Sequence, residues 1–196
     1  MDGPPPELLT PRLRLRQWRE TDLAPFAALN RDPAVMERFP ALLDQAASDA
    51  LAERCRARIA EHGWGLWATE LRAARTFIGF VGLSSPAFQA PFTPCVEVGW
   101  RLARAFWGLG YAAEGARAAL AFAFDRLGLD SVVSFTAVTN HESEAVMRRL
   151  GMSREGEFDH PRLPPGHRLT RHVLYRLTRS AWSNLAPDRS PAGAPP

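Results

Sequence analysis

Short apolar segments recur along the chain in two rhythms. Over residues 12–18, Leu13 and Leu15 alternate with arginines, the period of a half-buried edge strand. Residues 65–71 and 77–83 are two apolar runs separated by the turn 72–76, a spacing that suits an antiparallel hairpin. Val96, Val98 and Trp100 alternate with Glu97, Gly99 and Arg101, which predicts a strand. Residues 131–138 are strongly β-branched and apolar and predict a strand in the sheet interior. Residues 169–178 supply a last one.

The intervening segments carry helix signals. Thr21 or Asp22 can cap a helix running to about Asn30, and Asp32-Pro33 opens a short helix through Arg38. A long helix over residues 43–62 is stopped by Gly63. Residues 110–127 offer Ala112, Ala116, Ala119 and Ala123, small enough for that helix to lie close to a sheet, before Gly128 ends it. Asn140 to Leu150 predicts a further helix, stopped by Gly151. Residues 84–94 and 158–167 read as proline-bearing loops. The strand from Val96, the helix from Gly110 and the strand from Ser131 form a βαβ unit, so the two strands are expected to be parallel.

A length of 196 residues fits one domain. The pattern divides it into a disordered proline-rich tail over 1–11, an α/β domain over 12–180, and a disordered Ala/Pro-rich tail over 181–196. All 24 Lys-or-Arg positions are arginine. The absence of lysine excludes a Walker-type phosphate loop and lysine Schiff-base chemistry. A net charge of +3 without a basic stripe argues against a nucleic-acid partner. Cys55 and Cys95 stand in no metal or redox spacing and read as reduced thiols. The first residues lack a signal-peptide pattern and no apolar stretch approaches spanning length. A cytoplasmic protein without a membrane partner is expected.

The chemistry concentrates at one junction. The Val96 strand leads to the turn Gly108-Leu109-Gly110, which feeds an alanine-rich helix. Glycines let backbone N–H groups approach a ligand, and a helix N-terminus adds unpaired donors and partial positive charge. Together they predict a phosphate site built from backbone. Gly108 to Ala113 also fits GxGxxA, the dinucleotide fingerprint. That reading needs the glycines at the strand end and an acid closing the next strand. Ala103 to Trp107 intervene here, and the next strand closes on Val138-Thr139-Asn140. Glu97, on the feeding strand, is a possible general base.

Trp107-Gly108-Leu109-Gly110-Tyr111-Ala112 instead resembles the (Q/R)xxGx(G/A) pyrophosphate loop of the GNAT superfamily of acyl-CoA-dependent N-acetyltransferases, with Trp107 in place of the usual Gln or Arg. EVGWRL before the loop, Tyr-Ala-x-Glu after it, Asn140-x-x-Ser143 and Leu150-Gly151-Met152 resemble the RimJ/RimL branch. The resemblance covers roughly residues 13–178. It implies the GNAT fold: an α/β domain with a mixed sheet of about six to seven strands, a splayed parallel pair and flanking helices. It also implies acetyl-CoA in the split, its diphosphate on Trp107, Gly108, Leu109, Gly110, Tyr111 and Ala112. The pantetheine would pair with the backbone of Gly99, Trp100, Arg101 and Leu102.

The same resemblance gives Asn140 a place beside the pantetheine and Ser143 one near the sulfur. Ser143 is then the candidate acid for the leaving thiolate, with Glu97 as the base for the amine. Without a ligand, Asn140 is equally an ordinary helix cap. The implied fold brings the 158–167 loop opposite residues 31–43, so that Phe39, Phe158, Asp159, His160 and His172 would line the acceptor site. Acidic Asp159 suits a cationic or peptide-like acceptor, whereas the nearby arginines suit one bearing a carboxylate. The spacing of His160, His167 and His172 fits no metal motif, and no metal is expected. The expected partners are acetyl-CoA and a primary amine, on a monomer or homodimer. The rival reading is a module that senses acyl-CoA without turnover.

Overall fold

A computed structural model of the chain describes residues 5–185. Eight strands form one mixed sheet: β1 (Leu8–Leu9), β2 (Leu13–Arg16), β3 (Leu66–Leu71), β4 (Thr76–Ser84), β5 (Glu97–Leu102), β6 (Ser131–Ala137), β7 (Ser153–Asp159) and β8 (Arg171–Thr178). Their spatial order is β1-β2-β3-β4-β5-β6-β8-β7. Every neighbouring pair is antiparallel except β5–β6.

Helices α1 (Leu23–Arg31), α2 (Pro33–Met36) and α3 (Gln45–His62) precede β3. Asp32 accepts from the Ala34 amide and Asp44 from the Ala47 amide, each closing an N-terminus. Gly63, at φ 75°, ends α3 in the left-handed conformation. Helix α4 (Tyr111–Ala121) passes into a π-helical turn, Phe122–Arg126, before β6. Helix α5 (His141–Arg149) joins β6 to β7, and α6 (Arg179–Asn184) follows β8.

Alternation along β4 assigns the two faces. Phe80 meets Phe26 of α1, with ring centroids 6.0 Å apart. Its neighbour Val81 faces α4 at Gly115, where an added Cβ would approach Val81 to 3.2 Å. Thus α1 and α4 cover opposite faces, and glycine admits the close approach of α4. Buried Leu13, Leu15, Ile59, Trp67 and Leu120 belong to one continuous apolar core. A charged group sits inside it: Arg16 binds Asp22 at 2.7 Å and Glu70 at 2.9 Å, and none of the three is more than 3% exposed.

The parallel pair is barely joined. β5 and β6 share one register pair, Glu97–Val133, fixed by the Val133 amide donating to the Val96 carbonyl at 2.9 Å. Beyond it the strands separate, leaving the β6-facing edge of Gly99 to Leu102 without a strand partner among the described residues.

The mixed sheet, the splayed pair and the flanking helices match the expected GNAT fold. The strand count is eight where the resemblance implies about six to seven. β7 was hidden because its sequence, SREGEFD, is mostly charged and exposed. Its carboxylates find arginine partners across the sheet, Glu155 with Arg176 and Glu157 with Arg171. Part of the expected N-terminal tail is also structured. Leu8–Leu9 pairs with β2, and the Pro6 carbonyl accepts from Trp67 Nε1 at 3.1 Å. Helix α6 likewise occupies the start of the expected C-terminal tail. The remainder of both expected tails, residues 1–4 and 186–196, lies outside the described residues.

Candidate active site

Two cavities open at the split in the sheet. The first, about 330 Å³, is bordered by Trp100 and Leu102 of β5, by Trp107, Gly108 and Gly110 of the loop, and by the start of α4. Gly108 and Gly110 have φ values of 73° and 82°, a left-handed backbone that glycine adopts without strain. This turn aims the loop into the helix N-terminus. Among the described residues, the amides of Gly108 through Ala113 donate to no protein group. Six successive free donors at a helix start form an anion cradle. With the edge of Gly99 to Leu102, which lacks a strand partner among the described residues, they fit a ligand bearing a diphosphate and a peptide-like arm.

The loop is braced from the segment between β1 and β2. Arg12 Nη1 donates to the Leu109 carbonyl at 3.0 Å, while its Nε binds Glu114 at 2.6 Å. Thr10 and the Arg12 amide also donate to Glu114. Burial works against ionisation of Glu114, but these hydrogen bonds prevail and hold its carboxyl below the ordinary value. Trp107 Nε1 donates to the Leu102 carbonyl at 2.8 Å, tying loop to strand. Tyr111 lies under the Arg12 guanidinium, 4.5 Å from ring centroid to Cζ. Leu109 contributes backbone to the loop, its side chain being 52% exposed.

The second cavity, about 340 Å³, lies on the other side of the split. It shares Arg38, Phe39, Trp100, Asn140 and Ser143 with the first, so the two meet at these residues. Glu97 and Gly99 border it from β5, and His160 and His172 from the far wall. Glu97 Oε2 accepts from the Ser84 hydroxyl at 3.1 Å. Burial pushes its carboxyl up to about 7, and the Ser84 hydrogen bond only partly opposes this.

Asn140 caps α5 by accepting from the Ser143 amide at 3.2 Å, and its Nδ2 donates to Thr136 at 2.8 Å. The ordinary capping role is therefore present, while the residue also borders both cavities. The Ser143 hydroxyl has no hydrogen-bond partner among the described residues. Tyr175 is buried beneath α5 and spends its hydroxyl on Glu144 at 3.0 Å.

Arg101 borders the first cavity, while its side chain stacks under Phe39, 3.8 Å from the ring centroid, and donates to Asn30 at 2.6 Å. Burial lowers its guanidinium to about 10. It braces the Phe39 wall. Phe158 packs behind the second cavity against Phe92 and Phe135, at 4.8 and 5.6 Å. Asp159 is a correction: next to Phe158 on β7, it faces the other way. It is exposed and paired with Arg171 at 3.3 Å, not part of the cavity wall.

His160 and His172 stand 4.9 Å apart, ring to ring. His172 Nδ1 lies 3.2 Å from the Thr170 carbonyl, which can only accept, so Nδ1 carries the proton. Burial holds His172 down to about 4 and lowers His160 as well. Among the described residues, no three His, Cys, Asp or Glu are placed to hold a metal ion.

Sequence reasoning missed Arg38, Phe135 and Arg162 in the second cavity and the Arg12 brace on the first. Alternation along β6 is a signal that could have singled out Phe135. Arg12 and Glu114, 102 positions apart, leave no local signal.

Residues 12–153 match the acetyltransferase (GNAT) domain family. The FsC-acetyl coenzyme A-N(2)-transacetylase of Aspergillus fumigatus is 35% identical over 128 residues. That match takes in 63% of this chain and 54% of the relative, so the chain spans about half of that relative's length. A GNAT-family acetyltransferase from Bacillus anthracis shares the fold at a TM-score of 0.74 and 20% identity, over 89% of this chain and 99% of that one. The spermidine N-acetyltransferase of Vibrio cholerae, solved with CoA and spermine, does so at 0.70 and 22%, over 89% of this chain and all (100%) of that one.

Proposed function

The chain belongs to the GNAT family of acetyltransferases, and we propose that it moves an acetyl group from acetyl-CoA to a primary amine, as a member of the RimJ/RimL-like branch working in the cytoplasm. The acceptor is a small-molecule amine or a peptide N-terminus. One observation carries the reading: Ser143 borders both cavities, and Glu97 borders the second. The second cavity thus has a carboxylate on one strand, and the place where the two cavities meet has a free hydroxyl on helix α5.

Acetyl-CoA supplies the activated thioester carbonyl when bound. The free amides from Gly108 to Ala113 hold its diphosphate, and the open edge of Gly99 to Leu102 pairs with its amide arm. Asn140 stands beside that arm. An attacking amine must be neutral, and Glu97, directly or through water, takes its proton. A carboxyl near 7 is poised for this exchange close to neutrality. Backbone N–H groups near Val98 or Gly99 face the developing negative charge. Ser143 returns a proton to the departing thiolate, whose own affinity for it resembles that of free cysteine, about 8.5.

The test is thiol release from acetyl-CoA with peptides, polyamines, amino acids and amine antibiotics, the products identified by mass spectrometry. Acetylated amine formed in step with free thiol is the expected result. Acetyl-CoA that stabilises the chain against heat but releases no thiol with any amine would instead make it a sensing module.

A further inference from the structure

The acceptor cavity is charged unevenly. Its wall includes Arg38 and Arg162, and among the described residues Glu97 is its one carboxylate. That carboxyl is held near 7 and is occupied with the amine. His160 and His172 are both held below their ordinary value, chiefly by burial, and stand neutral at pH 7. Asp159, the other acid expected here, points away to Arg171.

Neither arginine is neutralised within the cavity. Arg162 donates to the Ala87 carbonyl at 2.8 Å and has no carboxylate partner among the described residues. Arg38 pairs at 3.3 Å with Glu37, whose side chain is 57% exposed and is screened by solvent. The rest of the wall is largely apolar, with Phe39, Trp100, Phe135, Met147, Leu163 and Leu169. A polyamine would place its second ammonium against this positive charge. A guanidinium is instead matched to a planar carboxylate, which it grips through paired N–H donors.

We infer that the acceptor is a primary amine carrying a carboxylate on an aromatic or apolar body, and that Arg38 and Arg162 recognise the carboxylate. The inference rests on the acetyl-transfer reading of the same cavity and narrows its substrate class.

Phenylalanine and phenethylamine test it, because they share ring and amine and differ by the carboxylate. With the full chain and acetyl-CoA, kcat/KM for phenylalanine is expected to exceed that for phenethylamine by about tenfold, the value of one good charged contact. In Arg38→Gln and Arg162→Gln the ratio falls toward one. A preference for phenethylamine or spermidine, or a ratio that survives both substitutions, overturns the inference while leaving acetyl transfer intact. If no amine is acetylated, the catalytic reading fails on its own, and calorimetry decides the recognition. N-acetylphenylalanine binding the CoA-loaded chain more tightly than N-acetylphenethylamine, with the difference lost in the Gln variants, upholds it. Equal or absent binding of the two overturns it.

Discussion

Ser84 and Glu97 face each other across the β4–β5 register, and the Ser84 hydroxyl donates to the Glu97 carboxylate at 3.1 Å. This bond favours the ionised form, but burial outweighs it and the carboxyl titrates at about 7 instead of 4.5. Turnover with a fixed amine is therefore expected to climb as pH rises through about 7. Glu97→Gln should lower kcat by about a hundredfold or more and flatten that limb. Ser84→Ala should shift the limb to higher pH. Rate profiles of the three proteins from pH 5 to 9 check this; an unchanged limb in Glu97→Gln assigns it elsewhere.

The same shift has a sign for stability. Between about 4.5 and 7 the unfolded chain has released the Glu97 proton and the folded chain retains it. Folding thus loses stability as pH rises through that window. Glu97→Gln removes this loss, so its stability relative to the parent should improve from pH 4 to pH 8. Urea midpoints at the two pH values measure it.

Ser143→Ala is expected to reduce turnover about tenfold or more while leaving acetyl-CoA affinity intact. A thiolate that leaves near its own pKa, about 8.5, needs less protonation in alkaline buffer. The deficit should therefore shrink above that pH. Equal turnover in variant and parent would remove Ser143 from the chemistry.

Gly110 combines a φ of 82° with a position at the mouth of α4. Gly110→Ala should cost about 1–2 kcal/mol from left-handed strain. Gly110→Glu adds a negative charge among the free amides and should abolish thermal stabilisation by acetyl-CoA. Circular dichroism verifies that both variants fold. Full stabilisation of Gly110→Glu would move the diphosphate site away from this loop.

Arg16 depends on Asp22 and Glu70, all three inside the core. Desolvation opposes its charge, yet the two carboxylates keep its guanidinium above the ordinary value. Asp22→Ala should destabilise the chain by about 3–5 kcal/mol, because Arg16 keeps Glu70 only through Nε and its Nη2 is left buried without an acceptor. Replacing all three with apolar residues of similar volume should cost far less. Urea denaturation of the two variants separates a merely compensated charge from a stabilising one.

What the sequence disclosed follows from the range of each interaction. The βαβ unit, the glycine turn and the Asn140 cap are written within a few residues and appear where the pattern puts them. The strand over Ser153–Asp159 was invisible because its carboxylates are paired with Arg171 and Arg176, which lie later in the chain. Phe39, His160 and His172 were legible as pocket residues only through the family resemblance. That resemblance also misplaced Asp159, because a one-residue step along a strand reverses direction. Arg38 and Arg162 carry no local mark distinguishing them from the chain's many other arginines.

The single rung between β5 and β6 has a consequence for how the molecule holds together. Strands β1 to β5 all come from residues 8–102 and strands β6 to β8 all come from residues 131–178, so the seam in the sheet is also a division of the chain into an early wing and a late one. Backbone adhesion between the wings is thin, and a guest whose amides bridge them adds the missing stitches. The cargo would then act as mortar, and amides along the seam should show the greatest slowing of deuterium uptake when it is present.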